Sequence, residues 1–260
     1  MLFQKVELLD TVKHKDATWG CFGANCKQSC CYVPVRSSIS LTEAVSLSRY
    51  FPIQFPLIKY QENQDPQYEL NIFFKLDKDP KSCVYLKEPE GCQLGKDKPI
   101  ACKQYPFQIV KDNLGRNLIQ IDLTCPGWKI SADSQGETPP EQTRVFENGN
   151  LNEFFKKNFV DYSLQFVNSG NETRLFINSL VAHNLLVGGE YRYRGMAIPI
   201  NFVSEERLLN LPKEILVDFR QRGYLHVIYA HLNSLVNYQK LIDAYLDRNE
   251  VKTDEESATV

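Results

Sequence analysis

The sequence predicts an α+β protein, with an N-terminal cysteine-rich metal domain of short helices and a β-hairpin, followed by a mainly helical C-terminal domain. Three observations lead there. All eight cysteines lie between residues 21 and 125 of a 260-residue chain. Apolar residues alternate with polar ones, or flank a hairpin loop, between residues 68 and 123. Near the C-terminus they recur at helical spacings of three, four and seven.

In chain order, SLTE at 40–43 is a capping box that starts a helix over 41–50, ended by the Phe-Pro pairs at 51–52 and 55–56. Tyr68, Leu70, Ile72, Phe74 and Leu76 alternate as in a half-buried strand. Strands at 104–110 and 117–123 are joined by KDNLGR, whose Asn113 and Gly115 suit a hairpin turn. The polar stretch SADSQGETPPE at 131–141 reads as a linker. It separates a cysteine domain at 1–130 from a helical domain at 142–247.

Helices are expected over 151–159 and 172–186, and extended chain over 190–203. Another helix follows over 205–222, which Pro212 divides or begins anew. A last helix covers 225–246, and the polar tail 248–260 is expected to be disordered.

Composition narrows the function classes. A 43% hydrophobic, 24% charged chain can bury an ordinary core. Thirty basic and thirty-two acidic residues give a net charge of -2, which offers no general field for nucleic acid or an anionic membrane. The first residues, MLFQKVELLDTVKHKD, place Glu7 and Asp10 where a signal peptide needs an apolar run, and no window approaches a membrane span. A cytoplasmic protein is expected, without nucleic-acid or membrane partners.

A reducing cytosol keeps thiols reduced, which turns attention from disulfides to metal ligation. The candidate ligands are Cys21, Cys26, Cys30, Cys31, Cys83, Cys92, Cys102 and Cys125. The first four make C-x4-C-x3-C-C; Cys83, Cys92 and Cys102 make C-x8-C-x9-C. Thiolates are soft, anionic and short enough to converge on one ion. Adjacent residues such as Cys30 and Cys31 point different ways, so the pair suits two neighbouring sites better than one. Eight thiols match two four-cysteine sites, or one cluster with a second ion. Cys31 and Cys125 are the best candidates for cysteines that merely pack. With no histidine in the cluster region, ligation is all-sulfur and fits an iron–sulfur cluster, iron or zinc. The lack of any C-x2-C pair favours iron, and Cys125-Pro126 matches the end of a ferredoxin run.

Other candidates have plainer explanations. His226 and His231 are five apart and do not share a helix face, so they and His183 read as structural or surface histidines. The run YRYR at 191–194 is an alternating strand rather than a phosphate site, and the stripe Phe154, Phe155, Phe159 is core. No serine sits in an elbow-like glycine context.

GCFGANCKQSCC, CVYLKEPEGCQLGKDKPIACKQYPF and LTCPG together resemble the bacterial YkgJ-type family of zinc- or iron-chelating cysteine-cluster proteins, over about residues 19–128. The shared elements are Cys83, Tyr85-Leu86, Cys92, Pro99, Cys102, Tyr105-Pro106-Phe107 and Cys125-Pro126. The opening C-x4-C-x3-CC looks more like the flagellin lysine N-methylase branch. That likeness implies S-adenosylmethionine beside an iron–sulfur cluster. The chain has no glycine-rich nucleotide loop, and Val33 stands where a radical C-x3-C-x2-C motif needs its third cysteine.

FENGNLNEFF, HNLLVGGEYRY and SEERLLNLPKEILVDFRQRGYLHVIYAHLNSLVNYQKL resemble the SapC-like family over about 145–243. This second likeness implies a role near peptide or surface-protein modification. The expected function is therefore that of a cysteine-ligated metalloprotein acting on a protein or peptide partner. The alternatives are a lysine N-methylase, or a structural zinc domain carrying a C-terminal protein-binding module.

Overall fold

Two compact units divide the chain, and each is assembled from two separate stretches: Met1–Pro34 with Tyr85–Asn168, and Val35–Val84 with Ser169–Val260. The computed structural model describes residues 5–21, 31–32, 35–59, 64–76, 82–87, 90–130 and 141–257, with the backbone alone for 248–257. The α+β expectation holds, as strands and helices occur in both units. The predicted linker at 131–141 falls inside the sequence span of unit 1, and its residues 131–140 lie outside the described set.

Unit 1 contains a three-stranded antiparallel sheet in the order Val6–Leu8, Asn117–Asp122, Phe107–Lys111. Its last two strands are the expected hairpin. The Asp112 carboxylate accepts from the backbone N–H of Leu114 and of Arg116, each at 2.9 Å, and Gly115 takes φ 76°. An acidic side chain bonding its own turn is why Asp leads the loop. The first of these strands begins at Phe107 rather than Gln104, because Ile100–Gln104 is a helical turn entered from Pro99. The Tyr105–Pro106 bond that follows is cis.

A second sheet sets Thr18–Trp19 between Trp128–Lys129 and Thr143–Arg144. It delivers two tryptophans to an aromatic core. Trp19 stands edge-on to Phe159, with centroids 5.0 Å apart, and Phe107 packs on Phe159 at 4.9 Å and on Trp128 at 5.2 Å. Phe155, fully buried, completes the cluster. Tilted and edge-to-face pairs of this kind add about 0.5–1.5 kcal/mol each beyond burial.

The single helix expected over 151–159 is three pieces. Asn150–Leu151 is a strand, Glu153–Phe155 a helical turn capped by Asn152, and Lys156–Val160 a π-helical turn leading into the helix Asp161–Ala182. Phe159, in that wider turn, is buried in the core, whereas Phe154, in the turn before it, is on the surface with 42% of it exposed. Phe154 thus departs from its core assignment.

Unit 2 is organised round a short sheet, Arg36–Ser38, Asn71–Phe73, Ile53–Gln54, and the helices that flank it. The capping box is present: Glu43 accepts from Ser40 N at 3.1 Å and from Ser40 Oγ at 2.9 Å, and the helix is Leu41–Leu47. Leu70, Ile72 and Phe74 are buried as the alternation required, though the paired strand is only three residues long. Residues 190–203 belong to a hairpin of Leu186–Tyr193 and Met196–Val203. Its two-residue turn, Arg194-Gly195, has both φ values positive, as a primed turn needs.

Pro212 caps the helix Lys213–Gln221, separating it from Glu205–Leu209. The last expected helix is broken by a 3-10 turn into Tyr224–Ser234 and Tyr238–Ser257. The second piece carries helical backbone into the tail expected to be disordered.

The edge strand Ile53–Gln54 has one side paired to Asn71–Phe73 and the other satisfied by helix side chains. Ile53 N donates to Ser234 Oγ at 2.8 Å, and Ile53 O accepts from His231 Nδ1 at 2.8 Å. Because Val203 N donates to His231 Nε2 at 3.2 Å, the proton resides on Nδ1 and the ring is neutral. His231 is thus a core histidine. Burial pushes its pKa down to about 4, against the opposing pull of the Ile53 carbonyl.

Between pH ~6.5 and ~4 the unfolded chain therefore binds a proton that the folded chain refuses, so stability falls as pH falls through that window. The loss amounts to about 3 kcal/mol once both values are passed. NMR titration of the His231 ring should find its midpoint near 4. A His231→Asn variant should lack this part of the acid slope in urea unfolding; an unchanged slope would refute the assignment.

Candidate functional site

The strand pairing of unit 1 brings distant cysteines together. Trp19 pairs with Trp128 across the sheet, and one step further on Gly20 N donates to Gly127 O at 3.1 Å. The two backbones approach so closely that a Cβ on residue 127 would penetrate the Gly20 carbonyl oxygen. Cys21 follows one of these glycines and Cys125 lies two residues before the other, so the pairing places both beside the same opening.

Cys125 is held in a turn tied to the end of the hairpin. Asp122 Oδ1 accepts from Thr124 N at 2.9 Å and Thr124 Oγ1 at 2.7 Å, and Cys125 N donates to Asp122 O at 3.2 Å. The Trp19 indole N–H then donates to Cys125 Sγ at 3.5 Å.

The opening is a cleft of about 610 Å³, lined by residues that include Cys21, Cys102 and Cys125. Cys21 is exposed, Cys102 half-buried and Cys125 buried. Trp19, Phe154, Phe159 and Tyr162 give the cleft an aromatic side, three of the four coming from the π-helical turn and its neighbours. π-helical turns occur often at functional sites. Lys96, Lys98 and Lys103 also line it, with Glu141 the single carboxylate among the described lining residues. The Lys103 ammonium stands 5.2 Å from the centre of the Tyr162 ring.

Two further thiols are neighbours. Burial pushes the Cys92 thiol upward and the charge of Cys31 adds to this, while the backbone N–H groups of Leu94 and Gly95 and the Lys98 ammonium favour its thiolate. Both cysteines are half-buried.

Of the eight cysteines singled out in the sequence, the structure thus brings Cys21, Cys102 and Cys125 to one cleft and sets Cys31 near Cys92. Cys83 is buried and belongs to the stretch assigned to unit 2. Cys26 and Cys30 lie outside the described residues. Among the described residues, no three His, Cys, Asp or Glu side chains are grouped so as to hold a metal ion. Sequence reasoning missed the lysines and Trp19. The run KDKPIACK, with lysines on both sides of Cys102, was the available signal.

The fold and cleft define a two-unit α+β protein with a thiol- and lysine-lined cavity in one unit. The SapC family model matches residues 9–241, so the chain belongs to the SapC family. The match is wider than the likeness noted over 145–243, and it takes in the cysteine-bearing half. No curated protein and no solved structure matches the chain. No described helix is long and apolar enough to cross a membrane.

The glycine contact makes a sharp prediction. Gly127→Ala should lower stability by at least about 2 kcal/mol, because rigid backbone must move to admit the methyl group. It should also speed the reaction of Cys125 with a thiol reagent. Gly170→Ala, in a helix with open space around the added carbon, should be neutral or stabilise by up to about 1 kcal/mol. Urea unfolding and timed thiol labelling of the two variants check this; equal behaviour would remove the constraint.

Proposed function

We propose that unit 1 is a cysteine-ligated metal domain, holding an iron–sulfur cluster or an iron or zinc ion, and that the protein acts in modifying a protein or peptide partner. The observation that carries this reading is the convergence of Cys21, Cys102 and Cys125, from three parts of the chain, on one cleft.

The chemistry of the donors fits a soft metal. Cysteines lining one cleft without histidine suit iron–sulfur, iron or zinc, and the lack of a C-x2-C pair favours iron. Cys31 and Cys92 are further candidates in unit 1, Cys26 and Cys30 belong to the proposed set but lie outside the described residues, and Cys83, in the stretch assigned to unit 2, is left out of it. The Trp19 N–H directed at Cys125 is the kind of outer-shell contact that orients and tunes a thiolate ligand. Lys98, which favours the Cys92 thiolate against the effect of burial, would offset part of the negative charge that metal-bound thiolates create. An iron–sulfur centre would supply one-electron chemistry, and zinc a Lewis acid or a closed structural knot.

The lysine N-methylase alternative fits the cleft less well. A substrate lysine and the sulfonium of S-adenosylmethionine are both cationic, whereas among the described lining side chains, thiols aside, ammonium groups outnumber carboxylates three to one.

The test is elemental analysis of protein purified without oxygen, with acid-labile sulfide and the visible spectrum measured on the same sample. Iron with sulfide and a band near ~400 nm is the expected result, and stoichiometric colourless zinc would make the site structural. Cys102→Ser should lose metal while leaving the hydrogen-exchange protection of Tyr224–Ser234 in place. Protein that carries no metal above trace, with all its thiols free, would overturn the reading.

A further inference from the structure

The lysines of the cleft call for an account of their own. A cavity of about 610 Å³ is the size that takes a small organic ligand or a few residues of a peptide. Lys98 and Lys103 are half-buried and Lys96 is exposed. Among the described residues none of the three makes an ion pair with a carboxylate.

Half-burying an ammonium group costs free energy unless something anionic compensates it. Lys98 favours the Cys92 thiolate, but burial pushes that thiol's pKa up, so Cys92 is no standing anion beside it. Lys103 rests against the Tyr162 ring, which compensates only in part. Lys96 comes from the 3-10 turn Gly95–Asp97, just before the helical turn that carries Lys103. Among the described lining residues, thiols aside, three ammonium groups against Glu141 leave two positive charges in excess, and they border an aromatic surface formed by Trp19, Phe154 and Tyr162. Cationic rim and flat apolar wall are complementary to one ligand chemistry.

We propose that this cleft binds an anionic ligand with a flat apolar body, its carboxylate or phosphate met by Lys96 and Lys103 and its body laid against Phe154 and Tyr162. Such chemistry has two sources, a free small molecule or an acidic side chain beside an aromatic one in a peptide. The site goes beyond the metal reading and does not require it, since neither lysine has been assigned to a thiolate. If the metal reading holds, the cleft places the ligand's body beside Cys21 and Cys102, and so names the class of substrate that unit 1 would act on.

Calorimetric titration of the full-length protein, as purified and with its metal content assayed on each sample, tests the site. The probes are phenyl phosphate, phenol, inorganic phosphate and a blocked Glu-Phe-Glu peptide. Phenyl phosphate or the peptide should bind at least about tenfold more tightly than phenol and inorganic phosphate. The double variant Lys96→Gln, Lys103→Gln should weaken that binding at least about tenfold. Lys111→Gln, at an exposed lysine outside the cleft lining, should not. Raising salt from about 0.05 M to about 0.5 M should weaken it further.

Preference for phenyl phosphate would assign the anion to a free molecule, and preference for the peptide to a protein partner. Phenol binding as well as phenyl phosphate, an unaffected double variant, or no binding of either anionic probe would overturn the proposal. Protein purified without oxygen that binds the anionic probes yet carries no metal above trace would sink the metal reading alone.

Discussion

The close approach of Gly20 and Gly127 is the constraint on which the cysteine-lined cleft depends. Strand pairing alone would bring Trp19 beside Trp128, but only a residue without a side chain lets the next peptide pair draw in to a 3.1 Å hydrogen bond. From that contact follow the placement of Cys21 at the rim, the seating of Trp19 against Phe159, and the reach of its indole N–H to Cys125. The buried sulfur is thus not simply a small apolar group filling space. It terminates a chain of contacts running from the hairpin, through Asp122 and Thr124, to the aromatic core.

Unit 2 solves a different problem by comparable means. A two-residue edge strand would leave buried peptide groups unsatisfied, at a cost of about 1–3 kcal/mol for each. His231 and Ser234 approach from the helix Tyr224–Ser234 and supply one acceptor and one donor to Ile53. Asn237 donates to the Ser48 carbonyl at 2.6 Å, and Asn201 to that of Phe55 at 3.0 Å. The helices and the hairpin of this unit are therefore fixed by polar contacts to loop and strand backbone as well as by the packing of Phe55, Phe176 and Tyr224. A histidine is suited to this task because its neutral ring presents a donor on one side and an acceptor on the other.

Much of the local structure was legible in the sequence. The capping box at Ser40, the hairpin around Asp112 and Gly115, the extended chain before Val203 and the break at Pro212 each follow from residues acting on their immediate neighbours. What was not legible depends on distant partners. The three-part segment from Asn150 to Val160 shows helical periodicity, yet tertiary packing of Phe155 and Phe159 selects a π-helical turn that no local propensity encodes. The compact units likewise exchange stretches of chain, whereas a composition shift can suggest only a single cut. For the site, sequence singled out the cysteines because clustering is visible in one dimension. Lys96, Lys103 and Trp19 became significant only when the fold set them round the same opening.

The electrostatics of that opening limit what it can do. Lys98 favours the thiolate of Cys92 against the burial that pushes its pKa up, and would offset thiolates gathered on a metal if the proposed site holds one. One compensating charge does not account for three. The excess positive charge disfavours a cationic sulfonium and a cationic side chain alike, and it does so in a half-enclosed space where screening by water and salt is weaker than on an open surface. A cleft of this character concentrates anions. Its aromatic wall then selects among them for those with an apolar body, because a bare inorganic anion leaves Phe154 and Tyr162 facing water. Charge draws the ligand in, and apolar area decides which ligand stays.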